Sequence, residues 1–252
     1  MTQCSSWSVT VLSIAALGCA STVAGSATAS HPDLSGVWGE YFDRSQPSIR
    51  DLRAHKDFPF TSEGRRKVDA YRALVTPSDD SPGKFCLGYG LPESMLFSGG
   101  YPMEIVERPD ELVILYEAQS ELRHVYLGRK IIAPDDRVPD RDGYSAGHWE
   151  GDTLVVETSS LKEQEDNAYP HTAQAQFIER YHLTHDAQGR KILEDDWTLT
   201  DPAFYTRPVS GMKKWTFEPK GVLLPYECNE EEWLDHLDTL EKQKGGTLPA
   251  VY

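Results

Sequence analysis

Apolar and polar residues alternate with a period of two through most of residues 101–217, and this alternation predicts β-strands. The clearest hairpin spans residues 144–158, where Gly151 can adopt the positive φ of a tight turn. The short connections between the predicted strands favour one all-β, antiparallel domain. This domain would be a barrel of about eight to ten strands or, as the alternative, a β-sandwich. The predicted strands lie near residues 36–38, 103–107, 112–117, 122–129, 144–149, 153–158, 173–183, 191–199 and 213–217.

Two stretches carry apolar residues at helical rather than strand spacing. Thr61 or Ser62 can cap a helix that extends to about Leu74. Asn229 can cap a second helix whose first turn is acidic. Helix is therefore expected only near residues 62–74 and 230–243, one on each side of the main run of strands.

The first 29 residues predict export. They contain no charge and include an apolar run, residues 9–17, that is too short to span a bilayer. Ala27-Thr28-Ala29 fits a signal-peptide cleavage pattern, so we expect a mature single-domain chain of residues 30–252, periplasmic or secreted, without a transmembrane span. A lipid anchor at Cys19 is the alternative, because residues 16–19 are similar to a lipoprotein cleavage site.

The net charge limits the classes of molecule that the protein can bind. The chain has 40 acidic and 25 basic residues, a net charge of −15, and such a surface repels nucleic acid and anionic lipid. We therefore expect no nucleic-acid partner.

Signal cleavage leaves two cysteines, Cys86 and Cys228. In an oxidising compartment these most simply form a disulfide, and the alternative is two separate buried thiols.

Candidate chemistry comes from ionisable residues that share a strand face with apolar ones. In residues 173–183, Glu179 shares its face with Phe177 and Tyr181, whereas Arg180 points to the opposite face. A carboxylate inside a barrel needs a partner or keeps its proton, and a raised pKa suits a general acid or base. Glu179 is therefore a candidate catalytic residue.

Arg123 and Glu117 flank the turn at Gln119-Ser120. By the alternation of side chains along a strand, each shares its strand face with apolar residues. One interpretation is an internal salt bridge between Glu117 and Arg123 that holds the hairpin. The functional alternative is that Arg123 faces a cavity and holds an anionic or carbonyl oxygen.

Two histidines are further candidates. His148 shares a strand face with Glu150 while Trp149 takes the other face, so His148 is either a surface residue or a cavity wall whose tautomer Glu150 sets. His171 lies just before the strand that carries Glu179. A metal site formed by His148, Glu150 and His171 is chemically possible, but known metal and dinucleotide motifs are missing, so no cofactor is expected.

Six short motifs stand out in the sequence. They are YPMEI at residues 101–105, GHWEGDTLVVET at 147–158, PHT at 170–172, ERY at 179–181, DP at 201–202 and YEC at 226–228. Together they resemble the motifs of a large family of exported, largely uncharacterised bacterial proteins. The resemblance implies export, a single domain and attention to His148, Glu150, His171, Glu179 and Arg180. The start of the first strand, Gly36-Val37-Trp38, is similar to that of lipocalin-type barrels.

Together these features predict an exported, lipocalin-like barrel that binds a small apolar or aromatic molecule, with acid–base catalysis of an isomerase, lyase or hydrolase type as the enzymatic form. A non-catalytic ligand-binding or envelope structural protein is the alternative, and a metal-dependent hydrolase is a second one. The candidate catalytic residues are Glu179, His148 and Arg123. The candidate ligand-binding residues are Tyr101, Glu104, Glu117, Tyr126, Glu150, His171, Phe177, Arg180 and Tyr181.

Overall fold

Nine strands form a closed barrel in the computed structural model, which describes residues 31–41, 55–76, 82–97, 100–226 and 231–245, without the side chains of 231–233. Each strand pairs with the next in the chain, and β9 closes the barrel against β1. The prediction of a barrel rather than a sandwich is thus confirmed. The strands are β1 (Gly36–Glu40), β2 (Met103–Glu107), β3 (Glu111–Tyr116), β4 (Leu122–Leu127), β5 (Tyr144–Glu150), β6 (Thr153–Ser159), β7 (Gln176–His185), β8 (Lys191–Thr200) and β9 (Val209–Phe217).

The two predicted helices are confirmed as α1 (Ser62–Val75) and α3 (Glu231–Lys244). The Thr61 hydroxyl caps α1 by accepting the N–H of Gly64 at 3.0 Å. The apolar face of α1 packs against α3 in a small cluster outside the main core. The sequence did not predict the short helix α2 (Glu93–Phe97), because its neighbourhood is rich in Pro, Gly and Ser.

One strand pair corrects the expectation of an all-antiparallel sheet. β4 and β5 run parallel, with Val125 opposite Ser145 and Leu127 opposite Gly147. Residues 128–143 carry the chain back along the barrel, which makes the parallel pairing possible. With nine strands, a strictly antiparallel order would leave β9 parallel to β1. The single parallel pair restores the antiparallel closure that is observed between β1 and β9.

The two ends of the barrel differ. We call the end at which β4, β5 and β7 begin the loop end. The segments between β1 and β2, between β6 and β7, and between β8 and β9 all lie there, together with α1 and α2. Buried residues of these segments, including Leu91, Met95, Tyr169 and Phe204, belong to the main core. The chain therefore covers its own barrel at the loop end, while tight turns connect the strands at the opposite end.

The inner face of β3 differs from the prediction. The prediction placed Glu117 on the inner face together with the alternate residues before it. Instead, Leu112, Ile114 and Tyr116 belong to the core. Residues 112–116 are all apolar, so alternation could not distinguish the two faces. Glu117 lies beyond the strand and accepts the backbone N–H of Leu224 at 2.7 Å. The predicted salt bridge between Glu117 and Arg123 is therefore wrong.

Gly143, which precedes β5, offers a test of the loop-end geometry. Its φ is +64°, and a Cβ there would lie 2.5 Å from the carbonyl oxygen of Ser159. Gly151, with φ +61°, has open space around it. We expect Gly151→Ala to cost about 1 to 2 kcal/mol from backbone strain alone, and Gly143→Ala about 2 kcal/mol more. Urea unfolding measures both, and equal losses would contradict the close packing at Gly143.

Candidate functional site

A buried ion pair lies inside the barrel. Nη1 of Arg123 donates to Oε1 of Glu179 at 3.0 Å, and Nη2 donates to Oε2. Arg123 also donates to the hydroxyls of Ser145 and Thr158, each at 3.0 Å. The arginine is 1% exposed and the glutamate is fully buried. Both oxygens of the carboxylate and all three guanidinium nitrogens are therefore engaged, as a buried charge pair requires.

Four neighbouring strands supply this network. Arg123 lies on the inner face of β4, Ser145 on β5, Thr158 on β6 and Glu179 on β7. Ser145 and Thr158 are directly opposite in the register, and residues directly opposite share a face of the sheet. The long arginine side chain crosses the strands between β4 and β7. The inward direction of Glu179, predicted from the alternation in β7, is confirmed.

Two tyrosines complete the inner polar group. The hydroxyl of Tyr181 donates to Oε1 of Glu179, and that of Tyr116 donates to Sδ of Met95 at 3.2 Å. Burial raises the pKa of both tyrosines well above its usual range, so both hydroxyls stay protonated. Burial alone would lower the pKa of Arg123, but the charge and hydrogen bonds of Glu179, together with Tyr116 and Tyr181, outweigh burial and raise it.

Asp195 is a fully buried carboxyl group that the sequence reasoning missed. It lies on the inner face of β8, opposite Tyr181 on β7 and Lys213 on β9. Its Oδ1 accepts the backbone N–H of Arg180 at 3.0 Å, whereas Oδ2 has no hydrogen-bond partner in the described part of the chain. Burial, and then the charge of Glu179, raise its pKa well above the usual value, which favours the protonated form of the carboxyl group.

The signal for Asp195 was present in the sequence. Leu193, Trp197 and Leu199 share its parity and are buried, so β8 carries the same kind of row that pointed to Glu179 on β7. The neighbouring Asp196, on the other face, is exposed.

A second acidic group lies at the loop end. Glu121 accepts the N–H of Gly90 at 2.8 Å and the hydroxyl of Ser94 at 2.6 Å. Burial, and then the charge of Glu121, raise the pKa of Asp142 to about 8. Arg123 opposes this rise, which places Asp142 within electrostatic reach of the inner ion pair. Both acids lie outside regular strands, so no periodicity could have identified them.

His171 is fully buried between β6 and β7. Its Nδ1 donates to the carbonyl oxygen of Tyr169 at 2.8 Å. Burial lowers its pKa, so the ring is neutral and Nε2 is an acceptor, without a hydrogen-bond partner among the described residues.

The outer face of the barrel holds the other predicted histidine. His148 and Glu150 are each about half exposed and hydrogen-bond to one another at 3.2 Å, and Arg180 donates to Glu150 at 2.7 Å. The interpretation of His148 as a cavity wall is therefore wrong, and Glu150 and Arg180 do not face the interior. Trp149 takes the inner position and its ring stacks 4.0 Å from that of His31.

The metal-site hypothesis fails on the same geometry. His148 and Glu150 lie in solvent on the outer face, whereas His171 is buried within the chain. Across the described ranges, no group of three or more His, Cys, Asp or Glu side chains is placed to hold a metal ion.

Three further predicted ligand-binding residues lie away from the interior. Tyr101 is 43% exposed and its ring packs 5.6 Å from that of Tyr226. Glu104 is half-buried opposite Leu115, on the outer parity of β2. Tyr126 lies beneath the guanidinium of Arg129. Of the predicted residues, the structure brings together inside the barrel Arg123, Phe177, Glu179 and Tyr181.

The inner ion pair should dominate stability. Glu179→Gln leaves the Arg123 charge buried without a counter-ion, so we expect a loss of about 3 to 5 kcal/mol in the free energy of unfolding. The control is Glu150→Gln, which removes a carboxylate that also binds an arginine but lies in solvent, and should cost less than about 1 kcal/mol. Similar losses for the two variants in denaturant titrations would show that Glu179 is not the buried counter-ion.

Asp142 should make stability fall as the pH rises. Its pKa is about 8 in the folded chain against an ordinary 3.8, so the folded state holds more protons between these values. The stabilisation is complete below about pH 4 and is lost as the pH rises toward 8. Asp142→Asn, which stays neutral, should reduce the loss between pH 5 and pH 8 by about 1 to 3 kcal/mol. Urea titrations at several pH values measure this, and an unchanged slope would contradict the raised pKa.

Comparison with known proteins does not assign the chain to a family. The chain matches no protein-family model, and no curated protein matches it at a significant level. Among the described residues, no helix is both long and apolar enough to cross a membrane.

Proposed function

We propose that the protein binds a small apolar or aromatic molecule inside its β-barrel. A closed barrel of this size class can hold one such ligand. The inner face carries aromatic residues from several strands, among which lies the polar group around Arg123. These aromatic residues include Tyr116, Phe177, Tyr181, Trp197 and Trp215.

The observation that carries this proposal is the carboxyl group of Asp195. A buried polar atom without a hydrogen bond costs free energy, and native proteins keep few of them. Oδ2 of Asp195 is such an atom within the described residues, and it lies on the inner face next to Tyr181. A ligand that hydrogen-bonds to this oxygen would remove the cost.

The catalytic form of the proposal is acid–base chemistry of an isomerase, lyase or hydrolase type. A neutral carboxyl group in an apolar site is suited to donate a proton or to stabilise a developing oxyanion. Asp195 would take this role. Glu179 and Arg123, the candidates from the sequence, would act by fixing Tyr181 and the local charge, since Tyr181 donates to Glu179.

A non-catalytic ligand-binding or envelope structural protein is the second candidate. The saturation of the ion pair favours it, because Arg123 and Glu179 satisfy one another together with Ser145 and Thr158. Charges that serve structure alone would have this arrangement.

Export belongs to the same proposal. The signal peptide of residues 1–29, the lipid-anchor alternative at Cys19, and Cys228 lie outside the described residues, so the disulfide between Cys86 and Cys228 stays a prediction. N-terminal sequencing of the protein from the periplasm or medium, and peptide mapping without reductant, would check both. An unprocessed N-terminus or two free thiols in the oxidised protein would contradict them.

The binding proposal is tested by thermal melting with small neutral aromatic molecules such as naphthalene, ethylbenzene and acetophenone. We expect at least one to raise Tm in a concentration-dependent manner. Asp195→Leu should alter the response, whereas Asp196→Leu, an adjacent substitution on the outer face, should leave it unchanged. If none of these probes raises Tm at millimolar concentration, the proposal is wrong. Product analysis with a binding molecule would then separate an enzyme from a carrier.

A further inference from the structure

We propose that the molecule held inside the barrel carries a neutral carbonyl oxygen, and that Asp195 recognises it by donating a hydrogen bond from Oδ2. This inference rests on the proposed function, because it names the chemistry of a ligand in that same site. It does not require that the ligand is turned over.

Charge balance inside the barrel favours a neutral ligand. The buried charges of Arg123 and Glu179 compensate one another, and every nitrogen of the guanidinium and both oxygens of the carboxylate already hold hydrogen bonds. Lys213, the other cation on the inner parity near Asp195, donates to Glu40 at 2.8 Å. An anionic or cationic ligand would therefore lose its hydration without meeting an uncommitted counter-ion among these groups.

The state of Asp195 defines the complementary group. Oδ1 already accepts the backbone N–H of Arg180, so the proton of the neutral acid is best placed on Oδ2. Burial, and then the charge of the nearby Glu179 carboxylate, raise the pKa of Asp195 and so favour its protonated form. A buried O–H donor needs an acceptor, and this oxygen has none in the described part of the chain.

A carbonyl group fits this donor better than a hydroxyl group. A carbonyl oxygen accepts hydrogen bonds and brings no donor of its own. A hydroxyl group would add a second donor, while both oxygens of Glu179 already serve Arg123 and Tyr181. The neighbouring Trp197 and Tyr181 provide apolar surface for the rest of the molecule.

The test compares three probes that share a phenyl ring: acetophenone, ethylbenzene and benzoate. Dissociation constants are measured at pH 6 by NMR titration for the wild-type protein, Asp195→Asn and Asp195→Leu. The asparagine amide can still donate a hydrogen bond, whereas leucine cannot. We expect the preference for acetophenone over ethylbenzene to be about tenfold smaller in Asp195→Leu than in the wild-type protein, and largely kept in Asp195→Asn. Benzoate should bind more weakly than acetophenone to the wild-type protein.

The outcomes separate the two proposals. If none of the three probes binds the wild-type protein, both the proposed function and this inference fail. If ethylbenzene binds but the acetophenone preference is the same in Asp195→Leu, or if benzoate binds most tightly, the inference fails and the proposed function stands.

A second measurement keeps the inference testable should Asp195→Leu fail to fold. The infrared carbonyl stretch of bound, carbon-13-labelled acetophenone should lie at a lower frequency in the wild-type protein than in an alkane solvent, because a hydrogen bond weakens the C=O bond. A bound carbonyl stretch at the alkane value would overturn the proposal.

Discussion

The desolvation of Arg123 is the constraint on which the interior of this barrel depends. A guanidinium removed from water costs several kcal/mol unless an anion and hydrogen-bond acceptors replace the solvent. The barrel meets this requirement with Glu179 and the hydroxyls of Ser145 and Thr158. The partners come from three other strands, so the charge is satisfied only when β4 to β7 are correctly paired. This dependence ties the electrostatics of the core to the register of the sheet.

The same interior holds further acids that do not pair with Arg123. Glu179 is the carboxylate that pairs with it, through two direct hydrogen bonds. Asp195 and Asp142 lie within electrostatic reach of Arg123 but make no ion pair with it, and the pKa of each is raised. A neutral carboxyl group is both a donor and an acceptor. Burial, reinforced by the charge of Glu179, thus favours in Asp195, one strand away from the ion pair, the protonated form that can recognise or protonate a neutral molecule.

The sequence predicted those parts of the site in which alternation is clear. In β7 and the residues just before it, small and aromatic residues mark the inner row, so the burial of Glu179 followed from parity. In β3 both faces are apolar, so the alternation could not show which residues face the interior. In β5 the sequence allowed either His148 or Trp149 to face the interior. Trp149 does so, because its indole has more apolar surface to bury. Asp195 could have been found from its row in β8. Asp142 and Glu121 could not, because they depend on how the loops pack and not on any local period.

Two departures from local rules coincide in this molecule. A buried cation lies in an apolar core, and a parallel strand pair interrupts an otherwise antiparallel barrel, and both involve β4 and β5. The parallel pair sets Ser145 beside Arg123, and Asp142 lies two residues before the start of β5. An uninterrupted antiparallel meander would be simpler to form, and a core without ions of this size is often as stable. Exceptions of this kind are expected at functional sites, where local consistency is given up for chemistry. Their coincidence supports the proposal that the functional site lies inside the barrel, near Arg123, rather than at the outer His148.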